Sequence, residues 1–507
     1  MATLQDYRNE RIRKLAELRE LGINPYPAKA NRTVNAVEVT DKFGQLEGKE
    51  VTVAGRIVSI RKFGKIAFVV IRDLSGELQL FLAEGKVGDL NATEGTLGIA
   101  QLNLLDTGDF VEARGVVIKT KTGEVSVEVS SLRLLTKSLR PMPLGHEDFS
   151  KKEERLRRRY IDINVNKDVR ERYIRRSRFW QVTRDFLNEK GFMEINIPVL
   201  EHTTGGADAN PFVTHMDALD EDFYLRISHE LPLKRLIGAG YEKVFDIGPR
   251  FRNENFSEEH LPEHIAIEWY WAYANWEDGM RLTQDMIRRI ADEVWGTRKF
   301  TLADGMSVDF GKDGEDFPRV SFVDVIQKEF GIDVFNTTIE EVAAKLKENG
   351  LQVEKTDSIP RGLDKLWKKV RKTIAGPAFL VDIPVFLQPL AKKQAGDERL
   401  TDQFNLLLGG TEACKAYSEL NDPIDQYERF IEQQKMRDSG DDEAMMMDID
   451  FVEMLEYGMP PTCGYGHSER VFWLLEGVTA REGVPFPQMR REVDPITRAI
   501  YPELSLD

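Results

Sequence analysis

The chain has 507 residues, 41% of them apolar and 31% charged, with 70 Lys+Arg against 86 Asp+Glu and a formal net charge of −16. That balance fits a folded protein of two to four domains and excludes a disordered one. No run of 18 apolar residues occurs, so no membrane helix is expected, and the polar start MATLQDYRNERIRK argues against a secretory signal. Two cysteines, Cys414 and Cys463, exclude a disulfide framework and a four-thiolate zinc site, so no zinc is expected and a reducing cytoplasm is the default. The acidic total does not suggest a nucleic-acid binder, although local basic faces can persist within it.

In chain order, residues 1–48 read as a helix and lead-in, with Ile12, Leu15, Leu18 and Leu21 as an apolar stripe and Gly22 as the stop. Residues 49–140 change to short alternating strands with turns at Ser75-Gly76 and Lys121-Thr122-Gly123, the pattern of a small five-stranded barrel. Two prolines mark a linker within 141–170. The arginine-dense run that begins at Lys151 reads as a solvated helix or as a surface facing a polyanion or a subunit. It continues to Lys190, stops at Gly191, and MEINIPVL follows as a strand. Residues 171–507 form the large domain, with a mostly helical insertion at about 318–376, after which AFLVDIPVFLQPL reads as a buried strand.

Chemistry concentrates in three segments. VFDIGPRFRNENFSEEHLPEH and IAIEWYWAY read as an antiparallel strand pair. Alternation puts Arg250, Arg252 and Glu254 on one face of the first strand, and His264, Glu268 and Tyr270 on one face of the second. Ile265, Ile267 and Trp269 then point the other way. Acids flanked by large apolar residues are buried and need partners, and a cationic ligand can be one. NLLLGGTEACKAYSELND holds Glu412 and Glu419 beside a Gly-Gly pair. PPTCGYGHSERVFWLLEG reads as a glycine-rich turn entering a helix with Arg470 in its first turn.

Together these segments resemble the class II aminoacyl-tRNA synthetases. FRNE with HLPEHIAIEWY is similar to motif 2, GFMEINIPVL to motif 1 and GYGHSER to motif 3. GGADANPF, YLRISHELPLKRL, SELND, SGDDEA and YGMPPT resemble the lysine-specific branch in the same order, as do LAELRELGINPYP, GKIAFVVIRDLSGELQLFL, TKTGE and LRLLTKSLRPMP near the start. The resemblance implies an α+β architecture: an N-terminal OB-fold barrel for the anticodon, then a catalytic domain on an antiparallel sheet with flanking helices. It implies ligation of L-lysine to tRNA(Lys) with ATP and Mg2+, and a homodimer formed through motif 1.

By resemblance, Gly206, Glu230, Glu268, Tyr270, Tyr417 and Glu419 bind lysine, with Glu230 and Glu419 facing its ammonium group and Glu268 its α-amino group. Arg252, Glu254, His260, His264, Glu412 and Arg470 surround ATP. Arg252 at the α-phosphate and Arg470 at the γ-phosphate are the catalytic pair. Glu412 is a magnesium carboxylate, with Asn405 as a weaker second ligand. Arg61, Phe68 and Gln79 contact the anticodon. The chain departs from the family at Asn405 and His264, at Glu259 in place of a loop arginine, at Lys415 in place of an asparagine, and in a motif 3 one residue shorter. Lys415 is expected to supply positive charge lost at Glu259. An aspartate- or asparagine-specific relative is disfavoured because Glu230 and Glu419 are acidic. A tRNA-binding paralogue without activity is disfavoured by the retention of Arg252, Glu254, Glu412 and Arg470.

Overall fold

A computed structural model describes residues 3–143, 149–207, 209–254, 257–354, 358–438 and 444–503. They divide into two compact units, one of 1–150 with 490–507 and one of 151–489. Most of SGDDEA, Asp208 of GGADANPF and residues 144–148 of the expected linker lie outside the described residues.

In the first unit, helix α1 (Leu4–Glu20) starts in a capping box between Thr3 and Asp6 and buries Leu15 and Leu18. Gly22 at φ 75° takes the chain out of it. The strands are β1 (Glu50–Phe63), β2 (Ile66–Arg72), β3 (Glu77–Ala83), β4 (Thr96–Leu97), β5 (Phe110–Lys119) and β6 (Val125–Thr136). β2, β1, β5 and β6 follow one another antiparallel, and β3, on the far side of β2, pairs in parallel with β6 to close the ring. Ala67, Val69 and Ile71 alternate inward on β2, and Leu78, Leu80 and Leu82 do so on β3. Lys137, at the exit of β6, is buried and donates to Asp106 (2.5 Å), Asp109 (2.8 Å) and the Leu104 carbonyl (2.8 Å). Arg11 of α1 donates to the Thr107 and Arg140 carbonyls, so charge-assisted bonds fasten the helix to that exit.

The second unit is built on an eight-stranded sheet. Its strands are β7 (Met193–Glu194), β8 (Lys243–Phe251), β9 (Glu263–Ala272), β10 (Arg319–Ser321), β11 (Ala378–Val381), β12 (Gln403–Leu408), β13 (Thr411–Ser418) and β14 (Thr462–Ser468), in the spatial order β10-β11-β12-β13-β14-β9-β8-β7. The interior pairings are antiparallel, and the two outermost, β7 with β8 and β10 with β11, are parallel. One face packs under α2 (Lys167–Glu189) and α3 (Trp276–Trp295), with Phe179, Ile267, Trp269, Met286, Phe404 and Phe472 in a common core. The other face lines a cavity.

Several elements differ from the sequence reading. The expected linker contains two helices, Lys152–Arg157 and Arg159–Val165, that belong to the second unit, and residues 490–503 group with the first. The arginine-dense run is partly exposed, and several of its arginines are held in ion pairs. Arg159 is buried on Asp162 (2.6 Å), Arg175 pairs with Glu476, and Arg176 with Glu469. Local periodicity cannot show partners some 300 residues away. MEINIPVL is two short strand pieces broken at Pro198, and AFLVDIPVFLQPL is strand only over Ala378–Val381.

The α2–β14 contact fixes a histidine in the core. His467 stacks on Trp180, with ring centroids 5.9 Å apart and planes 3° apart, and its Nδ1 lies 2.9 Å from the Tyr465 hydroxyl. Burial pushes its pKa down to about 3. The unfolded chain titrates this group near 6.5, so between pH 6.5 and 3 the unfolded state binds the extra proton and stability falls as pH falls. At pH 5 that loss is about 2 kcal/mol. Urea unfolding at pH 7 and pH 5 should therefore show a loss smaller by about that amount in His467→Gln than in the wild type. Equal losses in the two proteins would show that His467 titrates normally.

Candidate active site

The cavity has a volume of about 610 Å3 and is walled by β8, β9, β12, β13, β14, helix α4 (Glu230–Gly238) and the insertion helix α5 (Ile359–Val370). Its floor is set by register. On β14, Gly464 lies between Tyr270 and Tyr417, and Gly466 lies between Glu268 and Lys415. The glycines of GYGHSER thus belong to a strand, not to the turn expected from sequence, and their alternation opens a trough between two rows of functional side chains. A Cβ on Gly464 would collide with Glu419 Oε1 and the Tyr270 ring. At the other wall Gly206, at φ 82°, leaves no room for a Cβ, which would stand 2.7 Å from that of Glu230.

One end of the trough is acidic. Glu268 Oε1 accepts from Ser228 Oγ (2.7 Å) and the His229 backbone N–H (3.1 Å), and Oε2 accepts from the Tyr270 hydroxyl (3.0 Å). Burial works to raise this carboxyl, but hydrogen bonding from His229 and Ser228 and the charge of Arg250 overrule it and hold it at about 2. Glu230 Oε1 accepts from Lys234 (2.8 Å) and the Tyr417 hydroxyl (2.6 Å). Lys234 also stands 2.5 Å from Glu419 Oε2. Glu419 is 1% exposed, and neither of its oxygens has a directed hydrogen bond from a described residue. Burial, with repulsion from Glu230 and Glu268, raises its pKa well above the carboxylate range despite Lys234. Three carboxylates here face two cations, Lys234 and Arg250, the latter lowered by burial to about 9. With all five ionised, one negative charge is left over for a ligand to meet.

The other end is basic. Arg252 follows β8, with its backbone N–H on the Pro262 carbonyl, and Arg470 opens the helix Arg470–Glu476. Arg470 Nη2 lies 2.7 Å from His260 Nε2, and His260 Nδ1 lies 2.8 Å from Ser257 Oγ. Burial, then the Arg470 charge, lower His260 to about 4, so the neutral ring accepts from Arg470. His264 is held the same way: Arg250 Nε donates to its Nε2 (2.8 Å), and its Nδ1 lies 3.2 Å from the Leu261 carbonyl. Burial and the arginine charges push His264 well below its ordinary pKa. Glu254 and Glu259 are exposed at the rim.

Glu412 reaches the cavity because a bulge skips Ala413 between β12 and β13 and resets the alternation. Its Oε1 accepts from Trp367 Nε1 (2.7 Å) and Arg371 Nη1 (2.9 Å), and its Oε2 accepts from Asn405 Nδ2 (2.7 Å). In this arrangement Glu412 and Asn405, the expected metal ligands, are bonded to each other. Asn405 presents a donor to Glu412, and its Oδ1 is taken by Gln403 (2.9 Å). Among the described residues no group of three or more His, Cys, Asp or Glu could hold a metal ion. Lys415 is exposed and lies over the Tyr417 ring, 5.8 Å from its centroid.

The cavity thus gathers Gly206, Glu230, Glu268, Tyr270, Tyr417 and Glu419 at one end and Arg252, His260, His264, Glu412 and Arg470 at the other. Sequence reading missed Lys234, Arg371 and Trp367. The first stands four residues after Glu230 on one helix face, a spacing that could have flagged it. The other two lie more than 40 residues before their partner, and no local signal marks them. On the barrel, Arg61 and Phe68 are register partners and Phe68 is opposite Phe81, with ring centroids 5.3 Å apart. Gln79 lies on the same outer face, bonded to Ser126 (3.0 Å).

Residues 151–490 match the family of class II tRNA synthetases for D, K and N, and residues 51–135 match an OB-fold nucleic acid binding domain. A lysine–tRNA ligase of Fervidobacterium nodosum is 42% identical over 500 residues, 97% of this chain and 95% of the relative. One of Thermotoga maritima is 41% identical over 492 residues, 96% of each chain. One of Clostridium perfringens is 42% identical over 489 residues, 95% of each. Near full-length identity at this level, on a chain whose cavity is acidic at one end and basic at the other, shows that it belongs to the lysine–tRNA ligases of the class II synthetase family.

Proposed function

We propose that this chain joins the carboxyl group of L-lysine to the α-phosphate of ATP and then transfers the lysyl group to the 3′ end of tRNA(Lys), releasing AMP and pyrophosphate. The observation that carries the lysine assignment is Glu419: a buried carboxylate that shares its one cation, Lys234, with Glu230, in a pocket with one negative charge in excess. Lysine carries a net charge of +1 and neutralises it. Its side-chain ammonium sits over Gly464 against Glu419 and Tyr270, and its α-ammonium sits against Glu268. Glu230 acts through Lys234 and Tyr417, which already occupy its Oε1. A neutral amino acid would leave Glu419 with only its share of Lys234, and that penalty is the basis of discrimination.

With both ammonium groups at the acidic end, the lysine carboxylate points at the arginines. ATP enters with Mg2+ as a substrate complex, Arg252 holds the α-phosphate and Arg470 the γ-phosphate. A lysine carboxylate oxygen forms the bond to the α-phosphorus as the bond to the bridging oxygen breaks, and pyrophosphate leaves with the electron pair. The tRNA terminal hydroxyl then attacks the acyl carbon, and AMP departs. No side chain need act as nucleophile: the work is placement and charge stabilisation. On the barrel, Arg61, Phe68 and Gln79 take unpaired anticodon bases, with Phe68 as a stacking platform. Family membership also supports a homodimer and a cytoplasmic place of action. No helix among the described residues is long and apolar enough to cross a membrane.

Glu419→Gln removes one partner of a buried charge pair, an effect of about 2–5 kcal/mol. Lysine-dependent pyrophosphate exchange should show KM for lysine raised roughly 30-fold or more, with KM for ATP within about threefold. An unchanged lysine KM would reject the pocket. Because Glu419 starts with a raised pKa and must ionise to meet an ammonium, lysine binding should release protons and weaken as pH falls. Calorimetry in buffers of different ionisation enthalpy reads this directly, and identical heats in all buffers would contradict it. Phe68→Ala should raise KM for tRNA roughly tenfold, as expected from about 1–3 kcal/mol of stacking, and leave pyrophosphate exchange unchanged. Wild-type charging by that variant would remove Phe68 from the anticodon site.

A further inference from the structure

At the basic end the side chains do not fit a metal held by protein carboxylates. Glu412 is surrounded by three N–H donors, from Trp367, Arg371 and Asn405. Turning the Asn405 amide would set its oxygen against Glu412 Oε2, acceptor against acceptor. A cation is nonetheless present, on Arg371.

We propose that Arg371 is a phosphate-binding residue, and that it supplies at the leaving pyrophosphate the positive charge that a carboxylate-held metal would supply. The inference rests on the reading that this end of the cavity takes ATP. Arg371 opens the short 3-10 turn Arg371–Thr373 that follows α5, and it lines the same cavity as Arg252, Arg470 and His260. Glu412 grips only its Nη1, and its Nε is buried with no partner among the described residues. The Nε of Arg470 is in the same condition. Arg252, Arg371 and Arg470 stand close enough to repel. Burial lowers the pKa of Arg470, Glu259 opposes that, and the charges of Arg371 and Arg252 add to the lowering. Arg371 and Arg470, each with an unpartnered Nε among the described residues, line one cavity with Arg252 and form a site for a polyanion, and their planar forks match phosphate oxygens.

The charge count agrees. Two carboxylates and one divalent cation sum to zero, and so do Glu412 and Arg371 with a neutral Asn405. Loss of the second acid and gain of a monovalent cation therefore preserve the local balance. Lys415 does not play this part, because it is exposed and packs on Tyr417. Trp367, on the preceding turn of α5, bonds the same Glu412 oxygen and fixes the carboxylate that aims Arg371. Arg371 is thus a substrate-binding residue, and Glu412 is its positioning residue.

The test uses the full chain with Arg371→Ala and Arg371→Lys. Inorganic pyrophosphate is titrated by calorimetry in EDTA, without lysine or ATP, and KM for ATP and for lysine are measured in pyrophosphate exchange. Arg371→Ala should bind pyrophosphate at least tenfold more weakly and raise KM for ATP by a similar factor. Its KM for lysine should stay within twofold, and Arg371→Lys should recover part of the loss. Pyrophosphate affinity and ATP KM equal to wild type in Arg371→Ala would overturn the proposal. So would a parallel rise in both substrate constants with no recovery in Arg371→Lys, which marks a purely structural clamp. If the wild type bound pyrophosphate through Arg371 but showed no lysine-dependent exchange, the anion site would stand and the lysine-activation reading would fall.

Discussion

Burying three carboxylates in one cavity is the constraint on which the rest of this site depends. Glu230, Glu268 and Glu419 cannot keep their charge in a low-dielectric pocket unless cations and donors meet them. Lys234 answers Glu230 and Glu419 from one turn further along the same helix, and the Ser228–His229 entry to that helix answers Glu268. Arg226 neutralises Asp246, which would otherwise add a fourth acid opposite Glu268 in the sheet register. The compensation is deliberately incomplete in electrostatic terms: one negative charge remains, and the backbone at Gly464 is kept bare beside it. A ligand that brings a single net positive charge, carried on two separated ammonium groups, completes both the charge and the volume.

Polarity along the trough then does work that no single residue does. The acidic end draws the ammonium groups of lysine and the arginine end draws polyphosphate, so the two reacting groups meet in the middle without a dedicated nucleophile or base. The sheet makes this possible because neighbouring strands are held in a fixed register. Glu268 and Tyr270 on β9 and Lys415 and Tyr417 on β13 face each other across two glycines, at spacings set by the backbone and not by flexible side chains.

What could be read from sequence followed from local rules. Alternation in IAIEWYWAY separated the core residues Ile267 and Trp269 from Glu268 and Tyr270, and the structure keeps that separation. The barrel was legible from five alternating strands and their turns. What could not be read depends on distant partners or on irregular backbone. Arg175 and Arg176 meet Glu476 and Glu469 only because α2 lies against the helix after β14, so a run of arginines that looks solvated is partly held in ion pairs. The bulge at Ala413 that turns Glu412 into the cavity has no sequence signature, and without it Glu412 would point into the core. The glycines of GYGHSER look like a turn because small residues suit both turns and close approach. Only the register shows which applies.

The unusual residues at the basic end make sense as a set once their protonation is considered. An arginine can be oriented by a carboxylate or by a neutral acceptor. A carboxylate cancels its charge, and a neutral imidazole does not. His264 on Arg250 and His260 on Arg470 are both held neutral by burial and by the arginines themselves. Each histidine therefore fixes a guanidinium without cancelling its charge, which Arg250 turns on Glu268 and Arg470 leaves available to an anion. Protonation would turn both contacts from hydrogen bonds into repulsions, and the depressed pKa values keep that event well below neutral pH. Glu412 is the exception, a carboxylate on Arg371, and it holds that guanidinium by Nη1 alone, so that Nε still faces an anion. The basic end thus keeps Arg470 oriented without loss of charge beside Arg371, whose Nε is open to an anion. It is a field shaped for a polyphosphate, opposite in sign to the lysine end and built from the same sheet.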